Sequence, residues 1–270
     1  MKKILYLALS LPFLFAFSMP PKTNVYYVLK DKAVFHNGIY WSKSEVSNIE
    51  YKDFLMGLIE EGKADLVPKY APDMKVWLSD TSFVNPYAEY YFSHPAFNQY
   101  PVVGISHEAA TEYCAWMTRK CHARVGHTAK RPTEQNFTFR LPTEEEWRSV
   151  ARGEAKNDAW IAGGYHYPRD HKGRFLFNHR LGEGDYAGIV NGNPKDYEGY
   201  MITAPVVSFP ETSNGLYNIS GNVAEMLAEA GMAKGGSWRH LAEECQIESV
   251  QEYDGPQDWL GFRFVLAVGD

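Results

Sequence analysis

The sequence predicts a single α+β domain with few regular elements and long loops. Two stretches carry the signature of a helix start, one dipeptide marks a β-hairpin, and much of the second half is dominated by Gly, Asn, Asp and Tyr. The composition, 45% hydrophobic and 22% charged residues, is typical of a globular protein. With a formal net charge of −6 and no basic run, the chain lacks the footprint of a nucleic-acid-binding protein.

The N-terminus predicts export. Residues 1–18 begin with two lysines, continue with an apolar stretch to Phe17 and end in a small-x-small pattern, which is typical of a secretory signal peptide. The alternative is an uncleaved membrane anchor, but the stretch is short for a bilayer and Pro12 interrupts it. No cysteine precedes Cys114, so no lipid anchor is evident. The folded domain is therefore expected over residues 24–270.

The first part of the domain predicts strands and then a helix. Asn24–Lys30 is rich in Val and Tyr and favours a strand. Asn37-Gly38 lies between two apolar pairs and predicts a hairpin, because a type I′ turn needs two positive φ angles. A capping box at Ser47–Glu50 predicts a helix to about Glu61, with Gly62 as its stop.

The middle of the chain predicts packed loops and a second helix. Residues 66–105 lack clear periodicity, and their prolines argue against central strands. His94, beside a proline in this region, is expected to be structural rather than a metal ligand. Ser106 predicts a helix cap, with the helix ending near Lys120 and residues 121–139 forming a polar surface insertion.

Cys114 and Cys121 fall on the apolar face of this helix. Seven residues of helix separate them by about 10 Å along the axis, too far for a disulfide. The chain has only three cysteines, an odd number, so a disulfide scaffold is excluded. Both residues are therefore expected to be buried thiols.

A second capping box begins at Thr143 and predicts a short helix to about Gly153. Its core face is expected to contain Trp147, Val150 and Ala151. Residues 163–206 predict little regular structure, and 259–265 alternates like a strand that closes the domain.

The segment Gly215–Glu225, GLYNISGNVAE, predicts a buried irregular loop. Its Asn and Gly residues tolerate left-handed backbone conformations, whereas its interspersed apolar residues favour burial. A buried loop must satisfy its own polar groups, and one way is to turn oxygens onto a cation. Asn218 and Glu225 offer the hard oxygens that calcium prefers. The alternative is a loop held by side-chain hydrogen bonds without a metal.

Four motifs occur in order: RLPTEEEW at Arg140–Trp147, the GLYNISGNVAE loop, KGGSW at Lys234–Trp238, and GFR at Gly261–Arg263. Together they resemble the sulfatase-modifying-factor family, over roughly residues 38–265. The resemblance implies the formylglycine-generating-enzyme fold, a C-type-lectin-like α+β fold with little regular secondary structure.

The resemblance also implies structural calcium at two sites. The positions that match the family's first site, where Glu198 replaces the usual Asp, are Asn178, His179, Glu198 and Tyr200. The positions that match its second site are Asn218, Gly221, Val223 and Glu225. His179, Tyr200, Gly221 and Val223 would contribute backbone carbonyls.

In the family's enzyme, two cysteines five residues apart bind copper(I) and use molecular oxygen. Here His240 stands at the first cysteine position, Cys245 at the second, and Ser237 matches the active-site serine. The first thiol is thus missing, as is a family disulfide, since Cys114 matches one partner but Phe264 stands at the other. Formylglycine generation is therefore disfavoured and copper is not expected.

Residues 77–104 resemble the gliding-motility and type 9 secretion branch of the family, which also lengthens the connection at residues 121–139. This implies a non-catalytic binding or scaffold component, exported to the periplasm or outer membrane, with envelope or secretion-machinery proteins as partners. The competing hypothesis is a metal-dependent oxidoreductase that uses His240 and Cys245. A third is a lectin-like carbohydrate-binding module, which requires an exposed calcium with vacant coordination.

Overall fold

The computed structural model describes residue 29 and residues 31–78, 84–128, 137–153, 168–182 and 201–268. The predicted strand at 24–30 lies outside these ranges, apart from Leu29. The strands are β1 Ala33–His36, β2 Ile39–Ser42, β3 Phe137–Arg140, β4 Ala224–Met226, β5 Met232–Lys234, β6 Gln251–Glu252, β7 Leu260–Gly261 and β8 Val265–Val268. The α-helices are α1 Asn48–Glu60, α2 Val67–Tyr70, α3 Tyr87–Tyr90, α4 His107–Thr128 and α5 Glu144–Arg152.

The described strands form two small sheets. The first has the order β1-β2-β8-β3 and is antiparallel throughout. The second has the order β6-β5-β4-β7, and its β4–β7 pair is parallel. The first sheet therefore combines strands from distant parts of the chain, whereas the strands of the second all lie within residues 224–261. The rest of the described structure consists of helices and irregular segments.

The predicted hairpin at Asn37-Gly38 and the two predicted capping boxes are confirmed. β1 and β2 form a hairpin whose turn residues have φ values of 47° at Asn37 and 87° at Gly38, as a type I′ turn requires. Helix α1 begins with a complete capping box between Ser47 and Glu50 and ends beside Gly62, whose φ is 75°. Helix α5 begins with the same device at Thr143.

Helix α4 is longer than predicted. The predicted end near Lys120 is wrong, because the helix continues to Thr128 through residues that include good helix formers. Cys114 and Cys121 are buried and form no disulfide. Within the described ranges, no helix is both long and apolar enough to span a membrane.

Residues 66–105 contain short helical turns rather than uniform loops. Trp77, at the end of the 3₁₀ turn Met74–Trp77, is buried and stacks on Trp238 with ring centroids 5.8 Å apart. Tyr91 is buried beside it, with centroids 4.8 Å apart. The aromatic residues of this segment thus largely pack against one another. His94 caps a turn by accepting the N–H of Ala96 at its Nδ1, as a structural histidine would.

The prediction of a single strand over residues 259–265 is wrong, because this segment contributes to two strands in different sheets. The chain forms β7 in the second sheet and β8 in the first, and residues 262–264 cross between them. Phe262 and Phe264 pack into the main core, and Arg263 between them is completely buried. The crossing is therefore set by the contacts of Arg263 described below, which alternation of apolar residues does not predict.

Candidate functional site

The part of the loop that leads into β4, residues 218–223, is buried and left-handed at three positions. Asn218, Gly221 and Asn222 have φ values of 50°, 73° and 63°. Gly221 lies so close to the backbone of Asn178 that a Cβ would overlap its carbonyl oxygen. That same oxygen accepts the N–H of Asn222 at 2.8 Å. The loop is thus pressed against the segment around Asn178, and only glycine fits at the contact.

A buried ion pair joins this loop to the crossing between the two sheets. The side chains of Arg263 and Glu225 are both 0% exposed, and Nη2 lies 2.6 Å from Oε1. Arg263 Nε donates to both carboxylate oxygens at 2.7 Å, and Trp147 Nε1 donates to Oε2 at 2.7 Å. Arg263 also donates to the carbonyls of Ser42 and Tyr217. One guanidinium therefore satisfies oxygens from three separate segments, as a bound cation could.

A second buried carboxylate, Glu45, lies beside this pair. Its Oε1 accepts the amide N–H of Asn222 at 2.8 Å, and its Oε2 accepts that of Asn218 at 3.2 Å. Burial raises the pKa of Glu45 to about 8, with the nearby Arg263 opposing and Glu225 adding to the increase. Glu45 is therefore a buried acid held chiefly by neutral amides.

The predicted ligands of the first calcium site are described only in part. Glu198 and Tyr200 lie outside the described residues. Asn178 is buried, and its Nδ2 donates to the carbonyl of Ile202 at 2.7 Å and to Oδ1 of Asn222 at 3.3 Å. His179 is buried, with Nδ1 2.9 Å from the carbonyl oxygen of Arg180. The first calcium site remains a prediction.

Of the two side chains predicted to bind calcium at the second site, one is suited to a cation and the other is not. Oδ1 of Asn218 is buried and has no hydrogen-bond partner among the described residues, which suits a cation ligand. Glu225 differs, because three N–H groups of Arg263 and Trp147 already occupy most of its lone pairs. Gly221 and Val223 belong to the same buried loop. Calcium would therefore be held by Asn218 and the backbone carbonyl oxygens of the loop, and its role there would be structural.

The three catalytic candidates do not form one open centre. Ser237 Oγ and His240 Nδ1 are hydrogen bonded at 2.6 Å, and the His240 N–H donates to the carbonyl of Ser237 at 2.9 Å. Burial lowers the pKa of His240, so the imidazole is neutral at neutral pH. Ser237 is 0% exposed, and its hydroxyl also accepts the N–H of Arg239. His240 thus closes a turn around a buried serine.

Cys245 lies apart from water in a small apolar cluster. It is 0% exposed, packs with Phe177 and Ala242, and its Sγ lies against the backbone of Gly236. Burial raises the pKa of the thiol. Copper(I) and nucleophilic chemistry both require the thiolate, which this environment disfavours. In the described part of the chain, no group of three or more His, Cys, Asp or Glu side chains could hold a metal ion.

The native protein is therefore expected to leave Cys245 unmodified by N-ethylmaleimide as the pH rises from about 7 to 9, a range in which an ordinary thiol ionises. The pKa is raised, so the thiolate fraction stays small over this range. Peptide mapping by mass spectrometry distinguishes Cys245 from the other two cysteines, and protein unfolded in urea is the positive control. Equal labelling of native and unfolded protein at Cys245 would contradict the burial.

Sequence reasoning missed Glu45, Asn222 and the role of Arg263. Asn222 lies 177 positions from its partner Glu45, and Arg263 lies 38 from Glu225. No local spacing connects such residues. A signal was available for Arg263, a charged residue between two phenylalanines in an otherwise apolar stretch. Glu45 lies in the polar run SKSEVSN of residues 42–48, which does not indicate a buried acid.

A family model and two curated relatives point to the same protein family. The model of the sulfatase-modifying factor enzyme 1-like domain matches residues 29–268. The chain is 30% identical to inactive C-alpha-formylglycine-generating enzyme 2 of Mus musculus over 185 residues, which are 63% of this chain and 50% of that protein. It is also 30% identical to the formylglycine-generating enzyme of Mus musculus over 132 residues, 49% of this chain and 28% of that protein. The chain thus spans half or less of the length of these curated relatives.

Solved structures show the same fold. PvdO from Pseudomonas aeruginosa has a TM-score of 0.53 and 19% identity, with 85% of this chain and 80% of that chain covered. CarF has a TM-score of 0.55 and 19% identity, with 86% and 87% covered. The predicted α+β formylglycine-generating-enzyme fold is confirmed. Since the family model covers most of the sequence, the chain belongs to the sulfatase-modifying factor enzyme 1-like domain family.

Proposed function

We propose that this protein is an exported, non-catalytic member of its family that acts as a binding or scaffold component of the cell envelope. The observation that carries the proposal is the state of the family's catalytic position. His240 stands there in place of a thiol and is hydrogen bonded to Ser237, while the remaining Cys245 is buried in an apolar cluster. Two relatives described as inactive enzymes, one of which is compared above, are compatible with this assignment.

The envelope location rests on the sequence. Residues 1–18 have the pattern of a signal peptide, and the segment 77–104 resembles the gliding-motility and type 9 secretion branch. We therefore place the protein in the periplasm or at the outer membrane, with secretion-machinery or other envelope proteins as partners.

Aromatic residues make up 15% of the chain and would suit a protein interface, but two of those that the structure describes in residues 77–104 are buried. Trp77 and Tyr91 are buried in internal packing, so they are not accessible to a partner protein. Leu78 and Tyr90 of the same segment remain 57% and 45% exposed. These are the positions at which a photo-crosslinking residue is best introduced.

Calcium has a structural role in this proposal. The orphaned Oδ1 of Asn218 supports a bound cation in the loop before β4, where the neighbouring ion pair already joins the two sheets. A cation there would stabilise a scaffold without taking part in a reaction.

A complementation experiment tests the absence of catalysis. In a host strain that lacks the protein and has lost envelope function, Cys245→Ala and His240→Asn are each expected to restore function fully, because neither group takes part in chemistry. Asn retains a hydrogen-bond partner for Ser237, and Cys245→Ala leaves a buried cavity that costs about 1 kcal/mol. Elemental analysis of the purified variants is expected to give the same metal content as the unaltered protein.

The oxidoreductase alternative makes the opposite prediction. Stoichiometric copper or iron in the purified protein, lost in Cys245→Ala or in His240→Asn together with envelope function, would establish an oxygen-using enzyme and reject the scaffold. Circular dichroism on each variant shows whether the fold is retained.

A further inference from the structure

A polar cavity lies beside the start of α1, and none of the three catalytic candidates lines it. Its volume of about 420 Å³ falls within the range of about 300–1,000 Å³ that is usual for small-molecule sites. Its wall comes from residues 31–32 before β1, from the connection between β2 and α1, and from later segments that include residues 206–207. The cavity is therefore built from both halves of the domain.

Backbone hydrogen bonds hold these segments together. The N–H of Tyr217 donates to the carbonyl of Lys43 at 2.7 Å, and the N–H of Val206 donates to the carbonyl of Gln99 at 2.8 Å. The N–H of Lys43 donates to the carbonyl of Lys32 at 2.8 Å. Because segments distant in the sequence are joined around it, the cavity is formed before a ligand binds, as is usual for small-molecule sites.

The wall offers an extended peptide no free backbone to pair with. The carbonyl oxygens of residues 42–44 accept hydrogen bonds, in order, from Arg263, Tyr217 and the hydroxyl of Ser42. The N–H groups of residues 42 and 43 also donate to carbonyls. Peptides that add to a strand are recognised through such main-chain groups. A ligand in this cavity is therefore contacted mainly by side chains.

The start of α1 offers no free donor to an anion. A helix N-terminus binds anions through its free N–H groups. Here the N–H groups of residues 47–50 all have acceptors, either within the capping box or in the carbonyls of residues 98 and 100. The Glu50 carboxylate also lines the cavity and would repel an anion. A phosphate or carboxylate ligand is therefore disfavoured.

The accessible charges of the lining balance. Lys32 is paired with Glu50 at 3.1 Å. Lys43 and Asp31 add one charge of each sign, and within the described residues neither forms an ion pair. The buried Glu45 also lines the cavity, and both of its oxygens accept amide N–H groups. The two accessible acids and two lysines sum to zero, which favours a neutral ligand.

The remaining lining groups suit a molecule rich in hydroxyl groups. The side chains of Ser44 and Gln99 can each donate and accept, and neither has a hydrogen-bond partner among the described residues. Ile49, Val206 and Phe264 add apolar surface beside them. A sugar is complementary to such a wall, because each hydroxyl both donates and accepts while the C–H groups of the ring are apolar.

We propose that this cavity binds a neutral saccharide, with Ser44 and Gln99 as hydrogen-bonding residues and without the participation of calcium. The proposal gives a ligand class to the binding role of the proposed function and rests on that role. In the envelope, such a ligand would be a sugar unit of a glycan.

Isothermal titration calorimetry of the purified full chain tests the proposal with four probes. Diacetylchitobiose and maltotriose are neutral saccharides, glucose 6-phosphate is an anionic sugar, and trialanine is a short peptide. At least one neutral saccharide is expected to bind, with the same affinity in excess chelator. The other two probes are expected to bind more weakly or not at all.

Two variants locate the binding. Ser44→Trp fills the cavity and is expected to lose binding, whereas Ser93→Trp places the same side chain at an exposed position outside the cavity and is expected to retain it. Gln99→Ala removes one exposed hydrogen-bonding group and is expected to weaken binding by about 3–10-fold. Because Gln99 is exposed, this variant still tests the site if Ser44→Trp does not fold.

Four results would overturn the proposal. These are no saccharide binding, binding lost on chelation, a preference for the anionic sugar or the peptide, and saccharide affinity unchanged in both Ser44→Trp and Gln99→Ala. None of them alters the complementation result, which decides separately whether the protein is a non-catalytic envelope component.

Discussion

Arg263→Met is expected to lower the free energy of unfolding by about 3–5 kcal/mol, the usual effect of removing one partner of a buried ion pair. The substitution leaves the Glu225 carboxylate buried opposite an apolar side chain and removes hydrogen bonds to the carbonyls of Ser42 and Tyr217. Typical domains are stable by only about 5–15 kcal/mol, so much of the stability depends on this side chain. Urea denaturation followed by tryptophan fluorescence measures the effect.

The control is Arg174→Met. Arg174 pairs with Asp170 at 2.7 Å, but its side chain is 60% exposed. An exposed pair contributes about 0–1 kcal/mol, because water already solvates both charges. If Arg263→Met fell within about 1 kcal/mol of the Arg174 control, the buried pair would not hold the two sheets together.

Arg263→Lys keeps the positive charge of the side chain but changes the geometry of its hydrogen-bond donors. An ammonium group cannot reproduce the planar set of donors that reaches Glu225, Ser42 and Tyr217 together. The double variant Glu225→Gln with Arg263→Met removes both charges and is expected to be more stable than Arg263→Met alone, because no unpaired charge remains buried. This non-additivity would identify the direct coupling of the two side chains.

Elements with local causes were predictable from the sequence. The caps at Ser47 and Thr143 and the turn at Asn37-Gly38 each depend on residues within four positions, so a short stretch determines the backbone. The left-handed loop was also predictable, because Asn and Gly at its bends are the residues that adopt positive φ most readily.

Elements with distant causes were not predictable. Alternation in residues 259–265 suggested one strand, but Arg263 turns inward to reach Glu225 and divides it between two sheets. The candidate site shows the same limit. A family resemblance named Asn218 and Glu225 as ligands, but only the fold shows that Arg263 engages Glu225 and that Glu45 engages Asn218. Charge balance in a buried cluster is a property of packing, which sequence spacing does not contain.

Gly221→Ala is expected to destabilise the protein by about 2–5 kcal/mol, through two effects that add. A left-handed φ of 73° costs a residue with a Cβ about 1–2 kcal/mol. In addition, the new methyl group overlaps the carbonyl of Asn178 and the ring of Phe177, and both are held in place by packing or hydrogen bonds.

Gly62→Ala separates the two effects. Gly62 has nearly the same φ, 75°, but a Cβ there would meet no heavy atom within 4 Å. It is therefore expected to lose only the conformational cost of about 1–2 kcal/mol. The difference between the two variants, measured by urea denaturation, reports the close approach of the loop to Asn178. Equal losses would mean that the loop moves away freely and that its contact with Asn178 does not hold it in place.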